Sequence, residues 1–260
     1  MKTADTRAHV VTSWSTINAL GATTHEVMRN LRAGAPGLSP PPPDTGLETP
    51  CGAVTADLPP LEGKLAHLDT RNNRFVQQAL AELAESLEAA RTRWGPARIG
   101  ICVGSSTASM DELEHYYALC ARTNAVPPDS DVVTRGSADG LARVLRDLTE
   151  LRGPTAIVSN ACASSGKVFA SAKRWLEAGV VDAVLVGGAD SLCQLTLRGF
   201  RSLGLLSEEA CRPFSAERRG IHIGEGAAFA LLEREGEGPR LLGVGAVSYT
   251  HLTLPTNREV

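Results

Sequence analysis

Asn160-Ala161-Cys162-Ala163-Ser164-Ser165-Gly166 lies between an apolar run ending at Ser159 and a helical pattern opening near Ser164. One cysteine at a strand-to-helix turn, ringed by small residues, has three properties that suit nucleophilic acyl chemistry. A tight turn projects the thiol beyond the sheet's C-terminal edge, where open α/β sheets place ligands. The partial positive charge of a helix N-terminus favours thiolate over thiol. Unpaired backbone N–H groups there can bond a developing oxyanion. The same residues also fit a buried structural cysteine in a serine-rich helix start, and position alone does not separate the two.

The other residues able to do chemistry are less well arranged. The remaining cysteines (Cys51, Cys102, Cys120, Cys193, Cys211) are scattered without a C-x-x-C pair, so neither zinc nor a disulfide framework is expected. Gly187, Gly188, Gly220, Gly224 and Gly226 match neither G-x-G-x-x-G nor G-x-x-x-x-G-K. They read instead as tight turns and close backbone approaches. Gly104-Ser-Ser-Thr-Ala108 lacks the final glycine of a hydrolase G-x-S-x-G elbow. No metal or cofactor is implied.

The elements that would position Cys162 follow from apolar periodicity. Thr155–Ser159 reads as a strand, and Ser164–Ala178 as a helix ending at Gly179, with Val168, Ala172, Trp175 and Leu176 on one face. Strands are also expected at 9–14, 98–103, 181–186, 227–232 and 241–247. Helices are expected from Thr23-x-x-Glu26, a capping box, to Arg32, and over 71–94, 110–122, 138–151 and 192–203. The proline-rich stretch from Gly34 to Lys64 is a long loop. Strands alternating with helices predict a mostly parallel sheet covered on both faces.

Bulk properties exclude several classes. The 260 residues are 43% hydrophobic and 21% charged, with a net charge of −3, which gives no sign of a nucleic-acid or membrane-surface partner. No apolar run approaches the ~20 residues of a membrane span, and the polar start lacks a signal-peptide core, so a cytoplasmic location is expected. Residues 1–246 read as one domain. The string from Val247 to Val260 breaks the rhythm, resembles a translated sequencing adapter, and is expected to be a non-native tail on a truncated reading frame.

Three segments in order, Ala161-Cys-Ala-Ser-Ser165, Val186-Gly-Gly-Ala-Asp190 and Arg212-Pro-Phe-Ser-Ala-Glu-Arg-Arg-Gly-Ile-His-Ile-Gly-Glu-Gly-Ala227, resemble the β-ketoacyl synthase family. The similarity runs from Val10 to about Ala246, and Arg71-Asn-Asn-Arg74 with Pro213-Phe-Ser-Ala resembles the aryl polyene branch. The resemblance implies a thiolase-like α/β fold of layered αβαβα type, with mainly its N-terminal half present. It implies Cys162 as the nucleophile that accepts an acyl group from acyl carrier protein or coenzyme A before condensation with a malonyl thioester. It also implies a homodimer, or a heterodimer with a ketosynthase-like subunit.

In that family basic residues at the start of a matching helix dock the acidic carrier protein, which makes Arg71 and Arg74 candidates, with Arg198 and Arg201 a second pair. A solvated helix start explains Arg71 and Arg74 equally well. The family's two histidines, in His-Gly-Thr-Gly-like and Gly-His-Asn-like contexts, have no counterpart among His9, His25, His67, His115, His222 and His251. The family's Gly-Phe-Gly oxyanion segment has none either, so this stretch of chain is expected to be catalytically incomplete, and His222 to be structural. The competing readings are a thiolase-type acyltransferase, which the Arg-Pro-Phe to Gly-Glu-Gly stretch disfavours, and a non-catalytic chain-length-factor subunit, which Cys162 disfavours.

Overall fold

A computed structural model describes residues 8–41, 47–128 and 131–247. The expected tail therefore lies, beyond Val247, outside the described residues. Six strands form one sheet in the order β3-β2-β4-β5-β1-β6. These are β1 (His9–Asn18), β2 (Ile99–Gly104), β3 (Thr155–Val158), β4 (Ala183–Asp190), β5 (Gly226–Glu233) and β6 (Arg240–Leu241).

Pairing is parallel for β2 with β3 and with β4, but antiparallel for β4–β5, β5–β1 and β1–β6. The sheet is thus mixed, not mostly parallel as expected. For β4–β5 the connection carries α8 (Gln194–Ser202), which packs against α4 (Met110–Thr123). Strand β5 starts where β4 ends, with Gly226 opposite Asp190, and runs back along it.

Strand β2 shows how the layers divide. Ile99, Ile101 and Val103 join a core with Phe75, Leu80 and Leu145, from α2 (Arg71–Ala81) and α6 (Ala138–Thr149). Cys102 joins a second core on the opposite face with Val168, Ala172 and Leu176 of α7 (Ser164–Glu177). The period of two sends alternate side chains to opposite helix layers. The predicted apolar face of α7 is the one that packs, with Trp175 half-buried at its margin.

Four elements depart most from expectation. Strands β1 and β4 run on to Asn18 and Asp190, because β5 offers ladder partners along its whole length. The expected strand at 241–247 shrinks to Arg240–Leu241, which pair with Val10 and His9 at the start of β1. The helix expected over 71–94 is two, α2 and α3 (Ala84–Trp94), parted at Glu82 and Leu83. There the Glu82 carboxylate accepts from the N–H and hydroxyl of Thr24 at the start of α1 (Thr24–Arg32), while Leu83 turns into the core. No helix among the described residues is long and apolar enough to cross a membrane.

Candidate active site

Cys162 is the one exposed cysteine among the described residues. It sits on the turn from β3 into α7, whose N-cap, Ala163, has no side-chain capping bond. The uncapped N-terminus of a 14-residue helix therefore faces the thiol's surroundings.

The turn is held open by hydroxyls. Ala161 has a left-handed backbone, φ +46, which costs a residue with a Cβ about 1–2 kcal/mol. Its carbonyl oxygen accepts from Ser106 Oγ at 2.8 Å, Ser164 Oγ at 2.7 Å and Ser164 N at 3.1 Å. Ser164 Oγ in turn accepts from Asn160 N at 2.8 Å. These bonds offset the strain and fix the loop that presents Cys162.

Beside the thiol opens a cavity of about 960 Å³, walled by Trp14, Thr16, Phe169, Gly187 and Ala228. Glycine lets the wall close up behind the turn. At Gly187, with φ +154, a Cβ would lie 2.1 Å from Ala228 O. The glycine cluster thus makes close backbone approaches, as its spacing predicts.

The other sequence candidates lie apart from this turn. Arg71 grips Glu225, whose side chain has 0% exposure. Its Nε donates to Glu225 Oε2 at 3.0 Å, its second guanidinium arm reaches Glu225 Oε1, and it also donates to Val54 O at 2.7 Å. The bonds to Glu225 hold the guanidinium pKa above its usual value. Arg74 pairs with Asp69, with bonds of 2.9 and 2.5 Å. Arg198 and Arg201 are exposed on α8.

His222 faces Pro50 O with one ring nitrogen and Glu209 O with the other, each at 2.9 Å, which is a loop-bracing position. Ser106 spends its hydroxyl on Ala161, so it is no free nucleophile. Burial pushes the thiols of Cys51 and Cys193 up, and that of Cys102 up to about 11.

Sequence reasoning missed two acidic residues. Glu225 also accepts from Val54 N and Leu192 N, tying the 47–54 loop, α2 and the segment after β4 together. Asp190 gathers the loop after β2, with four donors on one oxygen. The available signal was an acid at the very end of an apolar strand, or just before one, where a solvated side chain has no reason to be singled out.

The family model described as "Beta-ketoacyl synthase, N-terminal domain" matches residues 7–237. The chain belongs to the β-ketoacyl synthase family. Nodulation protein E of Rhizobium leguminosarum bv. trifolii is 27% identical over 244 residues, a match covering 87% of this chain and 58% of that protein. The 3-oxoacyl-[acyl-carrier-protein] synthase 1 of Escherichia coli (strain K12) is 27% identical over 249 residues, covering 86% and 58%. A solved ketosynthase (ApeO) in complex with its chain length factor (ApeC) from Xenorhabdus doucetiae superposes with a TM-score of 0.81 at 30% identity, covering 91% of this chain and 60% of that one. This chain therefore has the thiolase-like α/β fold that the motifs implied. It spans less than two thirds of the length of these relatives.

Proposed function

We propose that this chain is the N-terminal part of a β-ketoacyl synthase acting in fatty acid or polyketide synthesis, with Cys162 as its nucleophile. Cys162 Sγ attacks the carbonyl carbon of an acyl thioester, and the carrier thiol leaves with a proton. A malonyl thioester on acyl carrier protein then loses carbon dioxide, and its carbanion displaces Cys162 to give the β-ketoacyl product. The backbone N–H of Cys162 supplies one oxyanion donor. The enolate-stabilising histidines of the family are not among the described residues' motifs, so the second half-reaction is assigned to the full-length protein.

The observation that carries this reading is the exposed thiol on a strained turn at an uncapped helix N-terminus, beside a cavity large enough for an acyl chain. Assignment to the aryl polyene branch, and docking of an acidic carrier protein near Arg71 and Arg74, belong to the same proposal. Both guanidinium groups keep a partly exposed side chain, 44% and 37%, despite their ion pairs.

The test is acyl loading of the full-length protein followed by intact mass. Wild type gains one acyl group and Cys162→Ala gains none. Acyl transfer to that variant would overturn the assignment.

A further inference from the structure

We propose that Asp190 is a positioning residue that aims the Cys162 backbone N–H, acting through Ser106 on the carbonyl of Ala161; this rests on the reading of Cys162 as the nucleophile.

Asp190 ends β4, beside the last residues of β2. Its Oδ1 accepts from Ser105 Oγ at 2.7 Å, Ser106 N at 2.9 Å, Thr107 N at 2.8 Å and Thr107 Oγ1 at 2.9 Å. Four donors converging on one oxygen suit a carboxylate, which accepts on both oxygens and has no amide hydrogens to turn toward them. An asparagine amide would turn two donors of its own toward the same loop or offer a weaker acceptor. Ser105 Oγ also accepts from Ala108 N at 2.7 Å, and the Ser191 hydroxyl lies 3.2 Å from Ala108 O. The loop is therefore held in one conformation even though Ala108 is left-handed, φ +49.

What the loop delivers is the Ser106 hydroxyl, 2.8 Å from Ala161 O. The peptide between Ala161 and Cys162 is planar, so its C=O and N–H point in opposite directions and turn together. Ser106 shares that carbonyl with the hydroxyl and N–H of Ser164, and as the donor that reaches it from the β2 loop it completes the set that fixes the N–H of Cys162 on the other side. Asp190 thus orients the oxyanion donor through the loop, while it and Ser106 also line the cavity beside the thiol. Ser106 itself is exposed, so its hydroxyl contributes aim rather than core packing.

The experiment compares two reactions of Cys162 in the full-length protein. Acyl transfer from an acyl-N-acetylcysteamine thioester needs the aimed N–H, whereas alkylation by iodoacetamide does not. Deleting an oxyanion donor costs about 10²–10³-fold, so misaiming one in Ser106→Ala or Asp190→Asn is expected to slow acyl transfer about tenfold. Alkylation of Cys162 should stay within about twofold, and Ser106→Thr, which restores the hydroxyl, should recover acyl transfer. Because Ser106 is exposed, its variants keep the test valid if Asp190→Asn fails to fold.

Wild-type acyl transfer in Ser106→Ala and Asp190→Asn overturns the inference, as does a parallel fall of both reactions in Ser106→Ala. Acyl loading of Cys162→Ala, or none in wild type, overturns the nucleophile assignment instead.

Discussion

Gly104 and Ser164 meet backbone to backbone: a Cβ at Gly104 would lie 2.5 Å from the Ser164 carbonyl carbon and 2.5 Å from Ser165 N. The last residue of β2 therefore sets how closely α7 can begin. Neither atom is the end of a flexible side chain, so Gly104→Ala must push the first turn of α7 outward. We expect a loss of about 2 kcal/mol, in the range for overpacking, seen as a melting midpoint about 4–8 °C lower. The same displacement moves the Cys162 turn, so acyl loading falls too. An unchanged midpoint would mean that α7 does not start against β2.

Arg71 and Glu225 make the second prediction. The carboxylate is wholly buried while the guanidinium is half solvated. Removing the arginine leaves a buried charge with only the Val54 and Leu192 N–H groups to satisfy it. Arg71→Met should cost about 3 kcal/mol, the low end for a broken buried pair because water can reach the site. Glu225→Gln combined with Arg71→Met should recover part of that loss, since no unpaired charge then remains. Urea melts of the two variants give the comparison, and equal stabilities would remove the ion pair from the account of this corner.

The helix α7 and strand β3 were legible because a 3.6-residue stripe and an apolar run are local properties of the chain. The Cys162 turn was legible for the same reason. Strand direction was not: β5 lies antiparallel to β4 after the connection that carries α8, and the strand's own sequence does not encode that locally. Asp190 and Glu225 sit in the family-like motifs, but their bracing roles were not legible because their partners lie 83 to 85 and 154 to 171 positions away in most of these bonds. Arg71 reads equally as a docking residue and as a solvated helix start in the sequence, because its partner Glu225 lies 154 positions away.

Thiol accessibility gives a third prediction. Cys162 is exposed, Cys120 and Cys211 are partly so, and Cys51, Cys102 and Cys193 are buried. With its thiol pushed up to about 11, Cys102 has about one molecule in 10³ as thiolate at pH 8, before access is considered. Brief iodoacetamide treatment followed by peptide mapping should label Cys162 first and the buried three only with denaturant. Early labelling of Cys102 would contradict the packing of α7 on the sheet.

His9 sets the fourth prediction. It is 3% exposed, and neither ring nitrogen has a hydrogen-bond partner among the described residues. Burial lowers its pKa, helped by Lys173 and Arg234 and opposed by Glu177. A folded pKa below the unfolded value of 6.5 means the unfolded chain binds the proton first as pH falls. The stabilising contribution is whole above pH 6.5 and is lost as pH drops through the folded value, at no more than about 1.4 kcal/mol per pH unit. Asp69 and Asp182 have pKa values below the usual 3.8, held down by Arg74 and by Arg98 respectively, so they lose their contribution only in stronger acid. Asp111, raised by burial, acts in the opposite sense. The difference between wild type and His9→Leu isolates the histidine from all three. Stability measured at pH 7.5 and pH 5.5 should fall more steeply in wild type than in the variant; parallel curves would show that His9 gains its proton as readily folded as unfolded.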